Sequence, residues 1–183
     1  VGPAEDPATQ VGPVIDASAR NRIQRYLNIG REEGRVLAEV DPGPLASRGY
    51  FVPPTVFADV DPHATIAQEE IFGPVLAVLR VKRFDEALRA AMDTEFALTG
   101  GLFSRSPEHI ARARRQFRTG NLYINRKITG AIVDRQPFGG FRMSGVGSKA
   151  GGPDYLLQFL VPRTVTEWTL RRGFAPDADA ASA

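Results

Sequence analysis

At 183 residues, with 43% hydrophobic and 24% charged side chains, the chain has the composition of a soluble globular domain large enough to bury a core. Its 23 basic and 21 acidic residues leave a net charge of +2, which gives little reason to expect nucleic acid as a partner. No window approaches the roughly 18 apolar residues of a membrane span. With no cysteine and two histidines, there is no disulfide framework, no thiol nucleophile and little support for a metal site or a serine–histidine triad.

The first 13 residues hold three prolines and read as an irregular lead-in. They have neither the basic nor the apolar segment of a signal peptide, so a cytoplasmic protein is expected. The chain does not start with Met and reads like the middle of a longer one. Over residues 17–33, Ile23, Tyr26, Leu27 and Gly30 keep the spacing of an amphipathic helix, with Asp16 or Ser18 as its cap and Gly34 beyond its end. Residues 36–40 and 55–60 read as strands, separated by the turn Asp41-Pro42-Gly43-Pro44.

Residues 75–81 form a nearly continuous aliphatic run, the signature of a strand covered on both faces. An apolar stripe through Phe84, Leu88 and Met92 predicts a helix, and residues 98–104 a strand. Ser106-Pro107-Glu108 opens a further helix with a cap, a proline and an acid, its inner face formed by Ile110, Ala113 and Phe117 and its end set by Gly120. Residues 122–125 read as the next strand, 154–160 as a short helix and 163–168 as a terminal strand. Strands alternating with helices predict an α/β fold with a mainly parallel sheet and flanking helices.

Residues 120–145 combine an apolar strand with a loop of small residues and glycines. Such a loop presents backbone N–H groups to an anion, although glycine and proline also simply build turns. Thr129-Gly130-Ala131 could be a nest for a carboxylate, or a plain turn. Phe138, in Pro137-Phe138-Gly139-Gly140, could wall a pocket or join the core. Upstream, Glu69-Glu70-Ile71-Phe72-Gly73-Pro74 sets a carboxylate and an aromatic ring on a loop before a strand. Two carboxylate oxygens can hold neighbouring ribose hydroxyls, but spacing alone favours a solvated acid beside a core phenylalanine. Arg112, Arg114, Arg115 and Arg118 crowd one helix, where a solvated face is the plain reading and phosphate contacts the other.

Glu69-Glu70-Ile71-Phe72-Gly73-Pro74, Leu98-Thr99-Gly100-Gly101-Leu102-Phe103-Ser104, Gly120-Asn121-Leu122-Tyr123-Ile124-Asn125 and Pro137-Phe138-Gly139-Gly140 with Ser144-Gly145 together resemble the C-terminal part of the aldehyde dehydrogenase superfamily catalytic domain. Asn125-Arg126-Lys127-Ile128-Thr129-Gly130-Ala131 and Lys149-Ala150-Gly151-Gly152-Pro153 are similar to its 1-pyrroline-5-carboxylate (L-glutamate γ-semialdehyde) dehydrogenase branch. The resemblance implies NAD as cofactor, with Glu70 on the nicotinamide ribose and Phe72 packed near the nicotinamide. It implies that Gly130 and Ala131 hold the α-carboxylate of glutamate semialdehyde and that Phe138 lines the aldehyde channel. Residues 163–168, from Arg163 to Trp168, would be a strand that pairs subunits of a homo-oligomer.

The resemblance also shows what is missing. The family's nucleophilic cysteine, its glutamate base and its cofactor domain should lie before Val1, so no catalytic residue is assigned here and the chain alone should not catalyse. Family members often carry a glutamine and a lysine toward the adenosine ribose on the first helix, where this chain has Ala19 and Arg22. The expected layout is a catalytic-domain portion over residues 1–160, an oligomerisation strand over 161–170 and a disordered tail over 171–183. A truncated paralogue that pairs with full-length subunits is the alternative.

Overall fold

The structure, a computed structural model, describes residues 1–169. Helix α1 (Ala17–Glu33) starts at Asp16, whose Oδ1 accepts the Ala19 N–H at 2.7 Å; Ser18 lies inside the helix. Ile23, Tyr26, Leu27 and Gly30 are buried on one face, as the apolar spacing requires. Gly34 closes the helix with extended backbone and not in the left-handed conformation usual at that position. It is small because a Cβ there would sit 2.9 Å from Val60 Cγ2.

The buried face of α1 packs on a three-stranded sheet in the order β1 (Arg35–Glu39), β2 (Thr55–Ala58), β3 (Val75–Val78). The first pair is antiparallel with an irregularity between Val36 and Ala38; the second is parallel, Thr55 opposite Val75. Phe57 of β2 is fully enclosed by a cluster that includes Ile23, Leu27, Val52, Ile66 and Ile71. Each such side chain taken from water stabilises the fold by about 1.5–3 kcal/mol. The one-turn helix α2 (Thr65–Gln68) connects β2 to β3, and Glu33 at the end of α1 accepts its Thr65 and Ile66 N–H groups at 2.9 and 3.0 Å.

β3 is not covered on both faces as expected. Val75 and Ala77 are half-buried, but Leu76 is 57% exposed and Val78 also faces solvent. A continuous aliphatic run records that both faces are apolar; it does not say that this chain supplies both covers.

In the second half, β5 (Thr99–Leu102), α4 (Pro107–Gln116) and β6 (Asn121–Ile124) form a parallel βαβ unit. Ser106 caps α4 by accepting the His109 N–H. The helix ends at Gln116, before Gly120, because Phe117 turns away to pack against Gly100. α3 (Phe84–Met92) meets α4 through stacked Phe84 and His109 rings, 4.1 Å apart, and an Asp85–Arg112 ion pair. Arg112 therefore faces the neighbouring helix, while Arg114, Arg115 and Arg118 form the solvated part of the arginine cluster. The two-residue strands β4 (Phe96–Ala97) and β7 (Phe141–Arg142) pair antiparallel.

The fold is α/β with flanking helices; among the described residues two of the four strand pairings are parallel and two antiparallel, so the mainly parallel expectation is not borne out. Residues 154–160 contain a 3₁₀ turn, Tyr155–Phe159. Residues 163–168 form no strand, since extended backbone becomes a strand only beside another one. Residue 170 and the tail expected at 171–183 lie outside the described residues. Among the described residues no helix is long and apolar enough to cross a membrane, and no acid, histidine or cysteine cluster could hold a metal.

Candidate active site

Two loops carry the residues singled out by the sequence. The first runs through residues 69–73. Ile71 joins the core, and Gly73 lies so close to α1 that a Cβ would sit 2.6 Å from Ile23 Cδ1. Between them Phe72 has φ 55°, a conformation that costs a residue with a Cβ on the order of 1 kcal/mol. Its ring is 77% exposed, so Phe72 is not the core residue that spacing favoured. Glu70 is exposed, with no hydrogen bond or ion pair among the described residues, which leaves both carboxylate oxygens available to an outside donor. Glu69 is engaged instead. Its Oε2 accepts the Tyr26 hydroxyl at 2.5 Å, and this bond, with burial adding to it, raises the Tyr26 pKa above its ordinary value. Arg22 Nε donates to the Ile71 carbonyl at 3.5 Å, at the outer limit of a hydrogen bond, so it points to this loop's backbone.

The second loop leaves the end of β6. Asn125, with φ 55°, holds Ser104 at both backbone groups, accepting its N–H at 2.8 Å and donating to its carbonyl at 3.0 Å. Gly130 has φ +80° and open space where a Cβ would stand, a conformation that suits glycine. Neither the Gly130 nor the Ala131 amide finds an acceptor among the described residues. Arg126 donates to the Thr129 carbonyl at 3.3 Å and so braces the approach to them. Two free N–H groups on adjacent residues are the minimum of a carboxylate nest.

Phe138 sits on the returning arm, exchanging backbone hydrogen bonds with Ala150 at 2.9 and 3.0 Å, its side chain 38% exposed. Asn121 of β6 fixes that arm, donating to Pro137 O at 2.9 Å and accepting from Gly139 N at 3.3 Å. Gly120 packs so tightly there that a Cβ would overlap the Gly139 carbonyl at 2.0 Å, and Lys149 donates to the Gly120 carbonyl. No hydrogen bond or ion pair joins the 69–73 loop to the 126–138 loop among the described residues. An open cleft of about 560 Å³ is bordered by Gln68, Asp93, Arg142 and Met143, and no residue of either loop lines it.

Residues 1–165 match the aldehyde dehydrogenase family. The chain belongs to that family. It is 54% identical to the 1-pyrroline-5-carboxylate dehydrogenase of Geobacillus sp. (strain WCH70), the alignment covering 91% of this chain and 32% of that relative. It is 52% identical, over the same shares, to the enzyme so named from Bacillus subtilis (strain 168). A Thermus 1-pyrroline-5-carboxylate dehydrogenase crystallised with bound NAD superposes with a TM-score of 0.75 at 52% identity, over 81% of this chain and 28% of that one. Proline utilization A from Bdellovibrio bacteriovorus, inactivated by N-propargylglycine, superposes at 0.86 with 55% identity, over 95% of this chain and 18% of that one. The chain thus spans about a third of the length of the curated relatives it matches.

Proposed function

We propose that the chain is the C-terminal portion of the catalytic domain of a cytoplasmic, NAD-dependent dehydrogenase that oxidises L-glutamate γ-semialdehyde, the open form of 1-pyrroline-5-carboxylate, to glutamate. The observation that carries this reading is the identity above 50%, across nine-tenths of the chain, to enzymes of that name. The loops give it chemical sense. The unpaired Glu70 carboxylate suits two vicinal ribose hydroxyls, and the outward Phe72 ring suits the edge of the nicotinamide. The free Gly130 and Ala131 amides suit the α-carboxylate of the substrate, and the half-exposed Phe138 suits the wall of an aldehyde channel. Bound NAD would supply a hydride acceptor. The residues described here bind and orient; with no cysteine among the 183, a thiol nucleophile must come from elsewhere in the working enzyme.

Residues 163–168 are proposed to pair with a neighbouring subunit, on the strength of their alternation and of the exposed Val165 and Trp168 side chains. The test of the main reading is to express the chain in its full-length gene product and follow NADH formation with pyrroline-5-carboxylate. A folded protein that forms no NADH refutes it.

A further inference from the structure

Alternate residues of the loop over 69–73 hold it to the rest of the fold. Glu69 is bonded to Tyr26, Ile71 is buried in the core, and Gly73 abuts Ile23. The residues between, Glu70 and Phe72, turn out to solvent. Its contacts with α1 run through Arg22, Ile23 and Tyr26, and the Glu69 N–H also donates to the Thr65 carbonyl of α2 at 2.9 Å. Of these contacts, the bond from the Tyr26 hydroxyl to the Glu69 carboxylate is the short, charge-assisted one, and it lies next to Glu70 in the chain. We propose that Tyr26 and Glu69 are positioning residues for the cofactor: their hydrogen bond fixes the loop direction that aims Glu70 and Phe72 outward.

This inference rests on the reading of Glu70 as the ribose-holding group. Without the bond, Ile71 and Gly73 still anchor the far end of the loop and the Glu69 N–H keeps its 2.9 Å bond to the Thr65 carbonyl, but the Glu69 side chain no longer holds this end to α1. Glu70 then has additional orientations to lose when NAD binds. The effect falls on affinity for NAD beyond the modest loss in melting temperature that the missing hydrogen bond itself brings, because Tyr26 without its hydroxyl keeps its ring in the core.

The experiment measures NAD dissociation constants by titration calorimetry on the full-length gene product. Tyr26→Phe, Glu69→Ala, their double variant, Glu69→Gln and Glu70→Ala are compared, with the melting temperature of each. The expected weakening for Tyr26→Phe and for Glu69→Ala is about tenfold, the factor set by roughly 1.4 kcal/mol. The double variant is no weaker than either single one. Glu69→Gln, whose amide oxygen still accepts the hydroxyl, binds NAD within about threefold of the parent. If Glu70→Ala weakens NAD and Tyr26→Phe does not, the positioning role is overturned while the Glu70 assignment stands. If Glu70→Ala leaves NAD affinity unchanged, the ribose assignment fails and the positioning role falls with it.

Discussion

Substituting Gly30 by alanine separates two effects that oppose each other. In an exposed helix, Gly→Ala stabilises by about 1 kcal/mol. At Gly30 the new methyl would sit 2.6 Å from Cε2 and Cζ of Phe57, well inside the 3.5–4.0 Å at which carbon atoms attract. Phe57 cannot yield easily, because it is 0% exposed and closed in by Ile23, Leu27, Val52 and Ile66. Forcing an extra carbon into such a core costs about 1–3 kcal/mol, and with so little room the upper end applies. Gly30→Ala should therefore destabilise by a net ~1–2 kcal/mol. Urea unfolding followed by far-UV circular dichroism measures it, with Phe57→Leu and the double variant beside it. Phe57→Leu alone is destabilising, but it opens space where the methyl goes, so the double variant should be more stable than the sum of the two losses. A Gly30→Ala protein as stable as the parent would mean that helix propensity decides and that the contact of α1 with β2 is not tight.

Four further outcomes follow from the same geometry. Burial pushes the Glu33 pKa up, but its hydrogen bonds from Thr65 and Ile66 outweigh that, and it ends below its ordinary 4.5. Its stabilisation is present above that value and lost as pH falls through the lowered one, so Glu33→Gln should narrow the gap in urea midpoint to the parent on acidification. The Tyr26 pKa is raised above 10.0, so its bond to Glu69 stabilises fully below pH 10.0 and is lost as pH climbs through the raised value. Tyr26→Phe should lack that alkaline loss in a pH series of denaturation midpoints; an identical alkaline fall in both proteins contradicts the assignment. Gly130→Val should cost on the order of 1 kcal/mol of strain at φ +80° and, on the proposed function, weaken glutamate binding in the full-length protein without weakening NAD; equal loss of both ligands would contradict a carboxylate nest. Leu156, Leu157, Phe159, Leu160 and Val161 stand exposed in succession around the 3₁₀ turn, so the isolated chain should enhance the fluorescence of a hydrophobic dye, and a flat titration would count against this.

Helix α1 was legible in the sequence because three signals agreed: a pair of candidate caps in Asp16 and Ser18, a run of apolar residues at helical spacing, and a glycine at its end. The α4 cap at Ser106 was legible for the same reason. The strands β4 and β7 were not, since two residues carry no period, and their pairing joins positions far apart in the chain. The antiparallel share of the sheets went unread with them. β3 misled because its composition reports what its faces are and not which polypeptide covers them. At the site, the motif residues were found, but the supports were not. Tyr26 looked like one more apolar position on a helix; the signal available was that a buried tyrosine hydroxyl needs an acceptor, which the sequence does not locate. Glu69 and Glu70 are both exposed, and what separates them is the Tyr26 hydroxyl that Glu69 accepts.

The two asparagines of the β6 segment have a consequence for how this site can change. Asn125 ties down the departing end of the long loop, and Asn121 grips the returning arm at Pro137 and Gly139. The loop is thereby a lariat knotted twice to the same short stretch of backbone. Length added near Gly130 would spread as slack between the knots and leave Phe138 where it is, at a closure cost of about 0.6 kcal/mol for each doubling of the loop. The part that would read the carboxylate can be rewritten, and the proposed wall at Phe138 stays put.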